Sequence, residues 1–311
     1  MKTLFATLTL ALLAGCATTS NELPIDRSLS AVGQSSRAKF IVVHYTVADL
    51  PRSIEILTKQ TVSSHYLLTD EASPRIYGLV DETRQANHAG LSNWKNYTYI
   101  NGNSIGIEIV NPGFTETPEG RVWHPYPQAQ IDRLIVLLKD IVARHKIPPE
   151  NILGHSDIAP QRKQDPGPLF PWAQLAAHGL VQWPDAARVA LARPVYEAGV
   201  PQAAWFQKRL AAFGYATPQT AQLDMQTRTV ITAFQMKYRP SNIDGTPDAE
   251  TASLLWALTP AVDDTPLPAP VPAPVVEPVP QLPAAPVETP VTPMTPATPV
   301  TPVTPIPGAK G

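Results

Sequence analysis

Apolar residues are patterned along the chain in two ways, one typical of strands and one typical of helices. Short apolar runs predict buried strands at 39–46, 64–69 and 104–110, with 75–80 as the partner of the second run. At 128–145 apolar residues recur every three or four positions, which predicts a helix with one broad apolar face. Strands mixed with helices indicate an α/β (α+β) domain in which helices cover a central sheet.

The strand at 104–110 contains one residue that does not fit a sheet buried on both faces. Its alternation points Ile105, Ile107 and Ile109 one way and Ser104, Gly106 and Glu108 the other way. A buried carboxylate without a partner is energetically expensive, so Glu108 would be tolerated where its face opens onto a polar cleft. The alternative is a solvent-exposed glutamate at the end of the strand.

The stretch 154–172 has the composition of a rigid loop. Three prolines, at 160, 166 and 168, prevent a continuous helix. Its His155 and Asp165 are ten residues apart, and a constrained loop can hold two such side chains at the fixed separation that a metal site requires. A catalytic zinc site needs a third protein ligand. The best candidate is His44, near the end of the predicted strand 39–46.

Five segments appear in one order across residues 38–175: VVHYT around His44, VSSHYLLTD at 62–70, NHAGLSNW at 87–94, SIGIEIVN at 104–111 and GHSDIAPQRKQDPGPLFPW at 154–172. Together they resemble the zinc-dependent N-acetylmuramoyl-L-alanine amidases of the type-2 amidase fold, in particular their outer-membrane lipoprotein type. The resemblance implies a mixed sheet flanked by helices, as in the related peptidoglycan recognition proteins. It also implies cleavage of the amide between the lactyl group of N-acetylmuramic acid and L-alanine.

The resemblance assigns a role to each polar residue named so far. It implies that His44, His155 and Asp165 hold one Zn²⁺ ion and that Glu108 takes a proton from the attacking water. Lys163 matches the lysine with which the family stabilises the developing oxyanion. Without the resemblance, Lys163 would be interpreted as an ordinary solvated charge, and its neighbour Arg162 is expected to be a surface or loop-bracing charge.

Tyr45, His65 and His88 are candidates for the substrate cleft. His65 is expected to be a hydrogen-bonded wall residue, whereas His88 could line the cleft or have a structural role. The family usually has an aromatic residue before that histidine, and this chain has Asn87, so the resemblance does not extend to a stacking contact on that side. The other histidines in loop or helix contexts are expected to be exposed: His124, His145 and His178.

The first residues resemble a bacterial lipoprotein signal. Lys2 precedes an apolar run, 4–13, that is too short to span a bilayer, and small residues then lead to Cys16, the only cysteine. We therefore expect a signal peptide at 1–15, lipidation of Cys16 and a polar tether at 16–37. Because Ala17 rather than Asp follows the cysteine, the resemblance implies the outer membrane, facing the periplasm. A plain secretory signal with a chance cysteine is the alternative.

After an amidase domain at 38–183 and a linker at 184–199, the pattern predicts a small three-helix domain at 200–258. Its cues resemble the peptidoglycan-binding domain of wall hydrolases: Phe206, Leu210, Gly214-Tyr215, Phe234 and Asp244-Gly245. A helical domain that only packs against the amidase is the alternative. Residues 259–311 are rich in Thr-Pro and Val-Pro and have few large apolar side chains, so we expect a disordered tail.

Three functions remain open: an amidase, a wall-binding lipoprotein without activity, and a zinc peptidase that cuts within the stem peptide. All three ligand positions and both catalytic positions are filled, which favours the amidase, and the histidine-rich motifs usual in such peptidases are not found. The net charge of −2 does not indicate a basic surface patch, so nucleic acid is not an expected partner. We expect peptidoglycan and muropeptides as partners, and a monomer.

Overall fold

The computed structural model describes residue 23 and residues 25–259. In chain order its elements are β1 (Phe40–Tyr45), α1 (Leu50–Lys59), β2 (Tyr66–Leu68), β3 (Ile76–Gly78), α2 (Ile100–Asn103), β4 (Ser104–Ile109), β5 (Phe114–Thr117), β6 (Gly120–Trp123), α3 (Gln128–His145), a 3₁₀ turn (Pro149–Asn151), β7 (Ile152–Gly154), α4 (His155–Ile158), α5 (Trp172–Ala177), α6 (Ala186–Ala198), α7 (Ala203–Phe213), α8 (Met225–Tyr238) and α9 (Ala249–Leu258). The predicted signal peptide, Cys16 and nearly all of the tail at 259–311 lie outside the described residues.

A five-stranded mixed sheet forms the centre of the catalytic part, in the order β3-β2-β4-β1-β7. Strand β1 is parallel to β4 and β7, β2 is parallel to β4, and only β3 is antiparallel. The parallel register sets His44 beside Glu108. Since the four parallel strands end at the same edge, side chains that follow them can meet there.

One face of the sheet packs on α3, as the sequence predicts. Ile41 and Val43 of β1 share a core cluster with the three isoleucines of β4 and with the apolar face of α3, which includes Ile131, Leu134, Leu138 and Ile141. Helix α3 begins after Pro127 and ends at His145, and the capping residue Lys146 has a left-handed φ of 56°. The predicted fold class and the alternation of β4 are therefore confirmed. None of the helices in the described part of the chain is long and apolar enough to cross a membrane.

The opposite face belongs to a second core cluster, to which the C-terminal helices contribute. Phe40, Val42 and Leu153 of the sheet share this cluster with Phe206 of α7 and Phe234 of α8. Trp94 contributes as well, and its ring lies 5.9 Å from that of Phe213 and 5.0 Å from that of Tyr215. We call residues 203–258, with α7, α8 and α9, the helical unit. It shares its core with the catalytic sheet.

Two expectations about local structure are wrong. The predicted linker at 184–199 is mostly helix α6, in which Asp185 caps the first turn by accepting from the Arg188 N–H, and Pro194 lies inside the helix. Its buried Ala192 and Tyr196 join the cluster that contains α9, so tertiary packing outweighs the cost of the proline. His145 is not exposed either, because its ring bonds Glu82 and Ser36. The hairpin of β5 and β6 has mostly exposed residues and gave no apolar signal.

Candidate metal centre and catalytic cleft

Three predicted ligands meet at the edge where the parallel strands end. His44 is the penultimate residue of β1, His155 directly follows β7, and Asp165 comes from the loop beyond α4. His44 Nδ1 lies 2.9 Å from His155 Nδ1 and 2.9 Å from Asp165 Oδ2, and His155 Nδ1 lies 3.1 Å from the same oxygen. All three side chains are buried, and among the described residues they form the one group with metal-ligand geometry.

A chain of hydrogen bonds decides which nitrogen of His44 carries the proton. Ser104 Oγ lies 2.6 Å from the Ile100 carbonyl, which can only accept, so the hydroxyl proton points there. Ser104 Oγ must then accept from His88 Nε2, at 3.0 Å. Burial and neighbouring histidines lower the pKa of His88 well below its usual value, so its ring holds one proton. His88 Nδ1 therefore accepts from His44 Nε2, at 3.0 Å, which leaves His44 Nδ1 with a free lone pair.

A hydrogen bond also orients the ring of His155. Its Nε2 lies 3.1 Å from the Ala89 carbonyl, which can only accept, so Nε2 donates to it and Nδ1 is the nitrogen that faces His44 and Asp165. Burial and the nearby His155 lower the pKa of His44 to about 4, although Asp165 opposes the shift. Burial by itself would raise the pKa of Asp165, but the two histidines outweigh burial and hold it well below its usual range.

The donor set therefore fits a zinc ion. Two imidazole nitrogens and one carboxylate oxygen converge within 3.1 Å of one another, and these are ligand atoms that Zn²⁺ takes in proteins. The outer hydrogen bonds, from His44 to His88 and from His155 to Ala89, fix the ring orientations, as in other sites with histidine ligands.

The loop that presents Asp165 is braced at several points. The Ser156 N–H donates to the Asp165 carbonyl at 2.9 Å, and the Lys163 N–H donates to the Ala159 carbonyl at 3.0 Å. Arg162 bonds the carbonyls of Ala89 and Leu91, so it braces the loop as expected. Gly154 is enclosed, since a Cβ there would lie 2.8 Å from Pro166 Cδ. The Asp165–Pro166 peptide is cis.

Glu108 lies beside His44, on the face that its alternation predicts. The residue is 8% exposed, and its Oε2 has no hydrogen-bond partner among the described residues. Burial and then the charge of Asp165 raise the pKa of Glu108 well above its usual value, and Lys163 partly offsets them. A carboxyl group with a raised pKa in a cleft is suited to proton transfer near neutral pH.

A cavity of about 650 Å³ opens over these groups. Tyr45, His88 and Lys163 line it together with the three ligands, Glu108 and Arg162. His65, a predicted cleft candidate, is not part of this lining: its ring is fully buried, with Nδ1 accepting from the Gly106 N–H and Nε2 near the Arg84 carbonyl. A larger cavity of about 1040 Å³ surrounds Tyr66 and Glu82, away from the metal ligands, so the smaller cavity is the candidate cleft.

Sequence reasoning missed three residues that contribute to the site. Ser104 orients His88, and its alternation with Glu108 on one strand face was the available signal. Asn101 fixes the backbone at His88 and Ala89, because its Oδ1 accepts from both of their N–H groups. Thr229 of α8 lines the cavity, and Gln161 Nε2 donates to the Gln226 carbonyl of the same helix. No local pattern links α8 to the cleft.

Comparison with known proteins agrees with this geometry. Residues 34–168 match the family described as N-acetylmuramoyl-L-alanine amidase, and residues 200–255 match the putative peptidoglycan binding domain. The N-acetylmuramoyl-L-alanine amidase AmiD of Escherichia coli K12 is 43% identical over 259 residues, which cover 79% of this chain and 93% of that relative. The chain belongs to the N-acetylmuramoyl-L-alanine amidase family. The predicted family and class of enzyme are thereby confirmed.

Solved structures of other amidases share the fold. The complex of E. coli AmiD with the substrate anhydro-N-acetylmuramic acid-L-Ala-D-γ-Glu-L-Lys has a TM-score of 0.68 at 43% identity, covering 75% of this chain and 93% of that chain. AmpDh3 of Pseudomonas aeruginosa has a TM-score of 0.71 at 37% identity, covering 76% of this chain and 98% of that chain. Both likenesses extend beyond the matched amidase segment, so this member of the family shares most of its described fold with them.

Proposed function

We propose that this amidase is zinc-dependent and hydrolyses the amide between the lactyl group of N-acetylmuramic acid and L-alanine, in peptidoglycan or muropeptides. The observation that carries the proposal is the meeting of His44 Nδ1, His155 Nδ1 and Asp165 Oδ2 beside the buried carboxyl group of Glu108. The substrate named for the E. coli AmiD complex contains this linkage, which supports the proposal. Such a reaction serves cell-wall turnover or remodelling.

The residues of the cleft divide the chemistry among them. His44, His155 and Asp165 would hold the zinc ion, which when bound supplies Lewis-acid chemistry: it acidifies water and polarises a carbonyl. Glu108 accepts the proton of the attacking water and delivers it to the leaving nitrogen of L-alanine. Lys163 lines the same cavity and stabilises the negative charge that develops on the carbonyl oxygen.

Two further proposals concern binding and location. Residues 200–258 bind peptidoglycan, a role supported by the match of 200–255 to the peptidoglycan binding family. Cys16 anchors the chain to the outer membrane on its periplasmic side, a role supported only by the signal-like sequence before it. On this basis the chain has a signal peptide (1–15), a tether (16–37), the amidase domain (38–183), the helix-containing connection (184–199), the binding domain (200–258) and a tail (259–311).

The products of a muropeptide digest test the proposed reaction. Mass analysis should find free muramic acid products and intact stem peptides beginning with L-alanine, in the presence of zinc. His44→Ala, which removes one ligand, should give no cleavage and a lower zinc content. Shortened stem peptides would show a peptidase instead, and unchanged muropeptides with the zinc-loaded chain would show a binding protein without activity.

A further inference from the structure

A buried polar cluster joins the helical unit to the segment that presents His155. Asp157 lies in α4, two residues after this ligand, and its side chain is reached by Tyr215 and Lys237 of the helical unit. The three residues are 1%, 3% and 4% exposed, respectively. We call Asp157, Tyr215 and Lys237 the interface cluster.

Each oxygen of Asp157 has a defined partner in the helical unit. Tyr215 donates its hydroxyl proton to Oδ1 at 2.5 Å, and the Lys237 ammonium lies 2.8 Å from Oδ2. The same ammonium donates to the Ile152 carbonyl of β7 at 3.2 Å and lies 4.3 Å from the centre of the Trp172 ring. Lys237 therefore contacts both ends of the catalytic segment, the strand before His155 and the aromatic residue that closes the loop.

Asp157 connects these contacts to the metal ligand. Its Oδ2 also accepts from the Gly154 N–H at 2.8 Å, at the point where β7 ends and α4 begins. The backbone between Gly154 and Asp157 thus forms a closed turn, and His155 lies inside it. A buried carboxylate holds such a turn in one arrangement only while its charge is matched, and the cation and hydroxyl that match it come from the helical unit.

We propose that Tyr215 and Lys237 are positioning residues for the amidase reaction: through Asp157, they hold the turn that aims His155 at the metal site. The helical unit then has a second task besides any binding of peptidoglycan, because it completes the support of a metal ligand. This inference rests on the proposed zinc-dependent function.

The structure offers a matched pair of variants to test the proposal. Tyr215→Phe and Tyr238→Phe each remove one hydroxyl from a buried tyrosine of the helical unit. Tyr215 donates to Asp157, whereas the hydrogen-bond partner of the Tyr238 hydroxyl is the Gln182 carbonyl, at 3.4 Å. Lys237→Met removes the cation while keeping an apolar stem. Its control is Arg239→Met, which removes a buried cation that pairs with Asp248 within the helical unit.

The measurements are the zinc dissociation constant, by competition with a chelator, and kcat and KM for a short soluble muropeptide. Tyr215→Phe and Lys237→Met should weaken zinc binding about tenfold or more and lower kcat by a similar factor, with little change in KM. Both controls should keep wild-type values. If Lys237→Met does not fold, Tyr215→Phe carries the test. Wild-type zinc affinity and kcat in Tyr215→Phe would overturn the proposal.

Failure of the inference and failure of the proposed function give different results. A full-length wild-type chain that neither binds zinc nor cleaves the muropeptide contradicts the proposed function. A wild-type chain that does both, with variants that show only a lower melting temperature, contradicts the inference alone, because the cluster would then join two units without positioning His155.

Discussion

At the scale of residues, the position of one proton on His44 decides which ring nitrogen faces the candidate metal centre. His44 can offer Nδ1 to a cation because its Nε2 proton is held by His88, and His88 is oriented in turn by Ser104. None of these partners needs to touch substrate. Their effect is to remove the alternative tautomer of His44, which would direct a proton into the site.

Gly106→Ala tests this chain of hydrogen bonds. A Cβ at Gly106 would lie 2.5 Å from Cγ of His88, so the ring must move and its bond to His44 is lost. Zinc binding, measured by chelator competition, should weaken about tenfold to a hundredfold. Gly78→Ala in β3 is the control, since a Cβ there meets nothing within 4 Å. Equal zinc affinity in the two variants would contradict the role given to His88.

The sequence predicts that the three candidate ligands converge, but it does not predict the contacts that support them, for a physical reason. His44, His155 and Asp165 follow from strand ends and a constrained loop, which are local properties. Asn101 and Thr229 act through contacts between segments that no local pattern relates. His65, expected as a hydrogen-bonded wall residue, is buried and accepts from the Gly106 N–H at Nδ1, and the cavity lining does not include it.

At the scale of elements, an ion-pair cluster fastens the end of α3 to the segment after β3. Glu82 accepts from Tyr66 at 2.7 Å, from His145 at 2.8 Å and from Arg144 at 2.9 Å. Burial by itself would raise the pKa of Glu82, but the hydrogen bonds from Arg144, His145 and Tyr66 outweigh it and lower the pKa to about 2. The ionised form is therefore favoured in the folded chain.

Glu82→Gln should reduce stability in a pH-dependent way. Because the pKa of Glu82 falls from its usual 4.5 to about 2, its stabilisation is fully present above pH 4.5 and is lost as the pH falls towards 2. We expect a loss of about 1–2 kcal/mol at pH 7, reduced by solvent because the Arg144 side chain is 41% exposed.

Urea unfolding of the zinc-free wild type and Glu82→Gln, from pH 7 down to pH 3, measures the difference. Zinc is removed from both chains so that protonation of the ligands does not enter the comparison. The two unfolding free energies should converge below pH 4.5. A difference that stays constant over this range would mean that packing, and not ionisation, accounts for the effect of the substitution.

Helices and strands could be predicted from the sequence where they have one continuous apolar face. Helix α3 has such a face, and its bounds agree with the prediction at 128–145. Helix α6 was missed because Pro194 is a local signal against helix, and its stabilising contacts are with α9, far along the chain. The β5–β6 hairpin is mostly exposed, so no burial pattern marks it.

At the scale of the whole molecule, the catalytic sheet depends on the helical unit for part of its core. Phe40, Leu153 and Trp94 pack in one cluster with side chains of α7 and α8. Without the helical unit these large apolar groups, and the carboxylate of Asp157, would face water or remain unpaired. The residues that match the two families therefore share one hydrophobic core in this chain.

A truncation tests this dependence. A chain ending after residue 199 should melt about 10 °C lower or more, or be recovered as aggregates, because several buried side chains lose their partners. A chain ending after residue 262 is the control, since it keeps every described contact. An unchanged melting temperature in the shorter chain would show that the catalytic part folds independently.

The most direct test of the whole account is the turnover number of the zinc-loaded Glu108→Gln variant on a defined muropeptide. The substitution removes the proton acceptor and keeps all three ligands, so zinc content should remain at one ion per chain. We expect kcat to fall about a hundredfold to ten-thousandfold, with KM little changed. A zinc-loaded variant with near-wild-type kcat would contradict the assignment of Glu108 and the mechanism built on it.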